Sequence, residues 1–119
     1  MVIRFIVVGF SLMLTGCKSN ASDDDGKWQQ FLSRYAHVYC ELRSVCDVNF
    51  NVEFGDQEQC RKEVLTNENK GRERREENGC SFEAEMGDEC LEAATVMSCD
   101  EWMNGGLDGV CGGSLWSCD

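Results

Sequence analysis

The chain opens on an apolar run, Phe5 to Leu14, interrupted by Gly9 and Ser11 and preceded by the cation Arg4. A polar, acidic stretch follows, Lys18 to Lys27 (KSNASDDDGK), with no large apolar group. It predicts a flexible tether, and Asp23-Asp24-Asp25 reads as self-repelling linker rather than as a cation site. From Trp28 the pattern changes. Trp28, Phe31, Leu32, Tyr35, Tyr39, Leu42 and Cys46 recur at three- and four-residue steps and predict an amphipathic helix with one apolar face. Cys40 and Cys46 lie near its end, separated by roughly 9 Å of helix axis, beyond disulfide reach. Each is expected to bond elsewhere.

Asp47 to Phe54 alternates, with Val48, Phe50, Val52 and Phe54 apolar, which predicts a short strand or an extended connection ended by Gly55. Asp56, with Gln59 three residues on, has the form of a helix N-cap, opening a second helix to about Thr66 with Cys60 and Val64 on its buried face. Asn67 to Gly79 (NENKGRERREENG) lacks large apolar residues and reads as a solvated loop or a frayed helical extension. Ser81 can cap a third helix bearing Phe82, Met86, Cys90, Ala93, Ala94 and Met97 at helical spacing, which excludes a Cys80–Cys90 bridge. Beyond Cys99, five glycines punctuate a tail that needs covalent ties to hold one conformation, with Trp102 and Trp116 expected to pack back on the helices.

Nine cysteines in 119 residues change the picture. Setting Cys17 aside leaves Cys40, Cys46, Cys60, Cys80, Cys90, Cys99, Cys111 and Cys118, an even set that reads as a four-bridge framework in an exported chain. No two stand close enough for a C-x-x-C zinc, iron–sulfur or redox site. Eight cysteines allow on the order of a hundred connectivities, among which sequence does not choose. The net charge of −11 repels phosphate backbones and anionic headgroups, which argues against nucleic acid and against adhesion to lipid through the protein surface.

Arg4, the short apolar run and the end Leu14-Thr15-Gly16-Cys17 resemble a bacterial lipoprotein signal peptide with its lipobox: an aliphatic residue, a small residue, glycine, then cysteine. The run is too short for a stable spanning helix. The resemblance implies a thioether-linked diacylglycerol on the Cys17 sulfur, cleavage before Cys17, and membrane attachment through two or three acyl chains. Lys18 after the cysteine, where enteric bacteria place aspartate as an inner-membrane retention signal, points to the outer rather than the inner membrane.

Candidate chemistry in the body is sparse. His37 is the single histidine and lies beside the apolar stripe, a surface position rather than a catalytic base. No serine lies in a nucleophile-elbow motif. Asp47-x-Asn49-x-Asn51, with Glu58 at the twelfth position, resembles an EF-hand calcium loop, but Val52 stands where the sharp turn wants glycine. The body as a whole, with Tyr39-Cys40, Cys46, Cys80, Cys90-Leu91, Ser98-Cys99 and the terminal cysteines, resembles the small cysteine-rich lipoproteins of myxobacteria and their relatives. It departs from them in having no proline before its later cysteines. That group has no established activity.

The expectation is a mostly α-helical, three-helix, disulfide-rich domain with a glycine-rich C-terminal tail. Residues 1–16 would form the signal peptide, 17–27 a lipidated tether and 28–119 the folded body. The expected role is a non-enzymatic, cofactor-free lipoprotein of the bacterial envelope, anchored through Cys17 and binding another envelope protein. A carboxylate-dependent hydrolase and a calcium-stabilised module are the alternatives.

Overall fold

The apolar stripe that begins at Trp28 lies on one side of a long helix, α1 (Ile3–Cys46), and places Trp28, Phe31, Leu32, Ala36 and Cys40 in the interior. The computed structural model describes the backbone of residues 3–118 and the side chains of residues 25–118. The side chains of the expected leader, of Cys17 (the expected lipidation residue) and of the expected tether as far as Asp24 lie outside the described ones. The rest of the chain is mostly helical: α2 (Phe50–Glu53), α3 (Gln57–Glu77), α4 (Ala84–Thr95), α5 (Cys99–Met103) and α6 (Gly106–Cys111). Two short strands, β1 (Cys80–Phe82) and β2 (Trp116–Cys118), form an antiparallel ribbon with Phe82 opposite Trp116. The three expected helices are α1, α3 and α4; the tail adds α5, α6, a 3-10 turn (Gly113–Leu115) and β2.

Two apolar clusters share α1. Trp28, Phe31, Leu32, Cys90, Leu91 and Leu115 form one, where α4 and the tail pack on the first half of the stripe. Ala36, Cys40, Phe50, Cys60 and Val64 form the other, where α2 and α3 cover its second half. Tyr35 and Leu65 border both. The bridges Cys40–Cys60, Cys46–Cys99, Cys80–Cys118 and Cys90–Cys111 tie α1 to α3, α1 to α5, β1 to β2 and α4 to α6. Both pairings that helix geometry argued against, Cys40–Cys46 and Cys80–Cys90, are indeed not formed.

Several local expectations are corrected. Asp47 to Phe54 is no strand: it turns into α2, with the Asp47 side chain accepting the Asn49 N–H at 2.9 Å. Phe50 and Phe54 are four residues apart, a spacing that puts two side chains on one face of a strand or a helix alike. The residues that discriminate are Val48 and Val52, and both stand in solvent, 97% and 86% exposed. Asp56 caps α3 as expected, accepting from the Gln59 N–H at 2.8 Å, but the helix runs on to Glu77, through the stretch read as loop or frayed extension. That stretch has no proline, is rich in good helix formers and carries the i,i+4 pair Arg72–Glu76 at 3.1 Å. Gly79, at φ +83°, makes the left-handed turn that ends it.

Ser81 does not cap the third helix. It belongs to β1, and α4 starts three residues later at Ala84, with Glu83 before it and no side-chain cap. The cause is non-local, because the Cys80–Cys118 bridge and the paired C-terminal strand claim the Ser81 backbone. The true side-chain cap in this half is Ser98, which forms a reciprocal capping box with Glu101 at the start of α5. Trp116 packs back as expected, its ring 5.3 Å from Trp28 and 5.8 Å from Phe82, while Trp102 is half-buried. The folded body also reaches into the expected tether, since Asp25 pairs with Arg72 at 2.9 Å.

Candidate functional site: an aromatic cleft and an apolar groove

The sequence singled out cysteines, and the fold accounts for all of them but one. The four bridges take up the eight cysteines of the body, and Cys17 lies outside the described side chains. His37 is exposed on α1, 3.5 Å from Glu41. The calcium-loop segment does not form one continuous loop. Asp47 accepts the Asn49 N–H and pairs with Arg43 at 3.2 Å, which together hold its pKa below the usual carboxylate value. Helix α2 occupies the middle of that segment, and Glu58 is exposed in the first turn of α3. Among the described residues no three His, Cys, Asp or Glu side chains cluster as metal ligands, and no helix is long and apolar enough to cross a membrane.

Two of the concavities among the described residues are candidates. The first is a cleft of about 200 Å³ between α1, α3 and the tail. Trp28, Phe31, Tyr35, Leu115 and Trp116 make its apolar wall, and Glu68, Arg72, Arg75 and Asp108 its polar rim. The polar side comes from the supposedly solvated stretch. Residues 65, 68, 72 and 75 recur at helical spacing, so a charged helix lays one face over the aromatics. Arg72 stacks 5.5 Å over Trp28, Arg75 5.3 Å over Trp116, and the Trp28 indole N–H donates to Asn69 Oδ1 at 2.9 Å. Burial, with Glu68 and Asp108 nearby, pushes the Tyr35 phenol well above its ordinary pKa, so it stays protonated. Burial also raises the Glu68 carboxyl, while the Arg75 guanidinium opposes the shift. The i,i+4,i+7 spacing of Glu68, Arg72 and Arg75 was the signal for this rim, masked by the absence of any large apolar residue in the stretch.

The second concavity is an open groove of about 420 Å³ beside the Cys46–Cys99 bridge. Val38, Leu42, Val45 and Cys46 of α1 form one wall; Ala94, Thr95, Met97 and Cys99 form the other. Val45 is 79% exposed, and Val96, between two lining residues, is 81% exposed. Sequence did not predict this surface, because exposed Val45 stands off the apolar stripe of α1 and the facing wall comes from a distant segment. The Cys46–Cys99 bridge joins the two walls across 53 residues of chain.

Chemically the groove offers mainly apolar contact with one carboxylate, Glu41, whereas the cleft offers a stacked aromatic surface, two guanidinium groups and two carboxylates. Comparison with protein-family models, with curated proteins and with solved structures finds no match to this chain.

Proposed function

We propose that this chain is the precursor of a lipid-anchored envelope protein whose mature body is a disulfide-stapled binding module without catalysis of its own. The observation that carries the reading is the cysteine accounting. Eight cysteines satisfy one another, and the ninth, Cys17, stands at the end of a lipobox-like leader, where a free thiol would be the acceptor for a lipid. Four bridges in so small a chain suit an oxidising compartment outside the cytoplasm. Two or three acyl chains would hold such a protein durably on a membrane, which its acidic surface alone would not do. The outer membrane is favoured over the inner by Lys18. The unreduced intact mass of the protein from its native membrane fraction tests the whole reading. A chain beginning at Cys17, heavier by two or three acyl groups and lighter by eight hydrogens, is expected, and Cys17→Ser should abolish acylation and release the protein from the membrane. An unacylated mass refutes the anchor, and free thiols refute the staple.

One observation favours a second reading, a carboxylate-dependent hydrolase: Glu68, with its raised pKa, shares the aromatic cleft with Asp108. Against it stand the small volume and the Arg75 charge, which works to keep Glu68 ionised. Hydrolysis of a glycoside or ester panel that is lost in Glu68→Gln would establish it.

A further inference from the structure

The groove beside the Cys46–Cys99 bridge is apolar where a monomer would ordinarily present charge. Exposed valines scattered singly need no explanation, but Val45 shares one continuous trough with Val38, Leu42, Ala94 and Met97. Met103, 69% exposed, follows one helical turn after the lining residue Cys99. Along α1 the trough extends from Val38 to Cys46, roughly 12 Å of helix axis, the length of about two helical turns.

Its charges have one sign. The lining contains Glu41 and neither lysine nor arginine. Helix α5 begins at the lining residue Cys99, and Asp100 and Glu101, both exposed, follow it in the first turn. Basic groups, Arg34 and Arg61, border a separate hollow beyond Val38. A second copy of this chain would set the same acidic rim against itself, and anionic headgroups would meet a body of net charge −11.

We infer that this groove docks a cationic amphipathic helix of another protein, apolar face down, with lysine or arginine over Glu41, Asp100 and Glu101. Such a helix needs apolar residues at i, i+3 or i+4, and i+7 to fill the trough, the spacing by which helix-in-groove partners are read. The bridge makes the site rigid, so little ordering of the groove opposes binding. The inference rests on the reading of the body as a binding module and names the chemistry of its partner.

The test uses the full chain in phosphatidylcholine nanodiscs with labelled methionine methyls, titrated with a synthetic helical peptide of leucine on one face and lysine elsewhere. A twin with glutamate for lysine and empty nanodiscs are the controls. The lysine peptide is expected to shift Met97 and Met103 while leaving Met86, which packs against the core, in place. The glutamate twin should bind at least about tenfold more weakly. Val45→Ser, at an exposed position of the lining, should weaken the lysine peptide by about tenfold. Glu41→Lys should weaken it as well. The inference is overturned if both peptides bind alike, or if the lysine peptide leaves Met97 and Met103 unmoved. Shifts of those methyls on raising protein concentration alone would mean a second copy, and shifts on adding anionic lipid alone would mean a membrane; either overturns it too. Failure of the anchor reading shows instead in the unreduced mass, which is independent of the methionine signals.

Discussion

Gly87 offers a substitution whose sign depends on packing alone. In an exposed helix interior, glycine to alanine stabilises by about 0.5–1 kcal/mol, because alanine loses less backbone entropy on folding. Gly87 is buried in α4 where it crosses α1, and a Cβ built there would lie 2.9 Å from Phe31 Cδ1 and 2.9 Å from Phe82 Cζ. Neither ring can step aside freely. Phe31 sits 5.8 Å from Trp28 and 5.6 Å from Tyr35, and Phe82 sits 5.1 Å from Trp28 and 5.8 Å from Trp116, centroid to centroid. Overpacking a filled core costs about 1–3 kcal/mol, so Gly87→Ala should destabilise by up to about 2 kcal/mol after the propensity gain is counted. Gly71 is the internal control. It also lies within a helix, α3, and its Cβ would meet nothing nearer than Arg74 Nη2 at 3.9 Å. Gly71→Ala should therefore stabilise by about 0.5–1 kcal/mol. The propensity contribution cancels between the two variants, so the gap between them, about 1–3 kcal/mol, reads the packing cost itself. Urea unfolding under non-reducing conditions, followed by tryptophan fluorescence, measures both. A Gly87→Ala variant as stable as Gly71→Ala would refute the account of the α1–α4 contact.

The bridges should rank by the loops they close. Replacing Cys46 and Cys99 together by serine opens a separation of 53 residues, for which chain entropy alone gives a loss of about 4 kcal/mol. The Cys90–Cys111 pair, at 21 residues, should cost about 3 kcal/mol on the same reasoning, and denaturant midpoints of the two double variants test the order. Glu68 should make stability fall as pH rises. Its folded pKa lies above the ordinary 4.5, so the folded state holds the proton more tightly than the unfolded chain through that window. Glu68→Gln should accordingly raise the melting temperature at neutral pH and lose that advantage below about pH 4.5; an equal gain at every pH would show that the carboxyl charge is not the cause.

Helices were legible where a single face was apolar. The Trp28-to-Cys46 stripe, the Asp56 cap and the helical spacing from Met86 to Ala94 all stand in the structure as local patterns, because each is fixed by residues within a turn or two. Where two periods coincide, as for Phe50 and Phe54, the pattern could not choose, and burial against Cys60 and Val64 decided for helix. The charged half of α3 was legible only as charge, and its role in covering Trp28 and Trp116 depends on how α3 lies across α1.

From its sequence alone this chain determined its amphipathic helices, its acidic surface, its even cysteine set and the two bridges it could not form. Tertiary structure alone decided which cysteines met, that Ser81 would join a strand, and that Val45 and Met97 would line one groove. The physical reason is range. Propensity and periodicity act over a few residues, whereas a bridge across 53 residues and a ribbon pairing Cys80 with Cys118 are set by which helix faces pack.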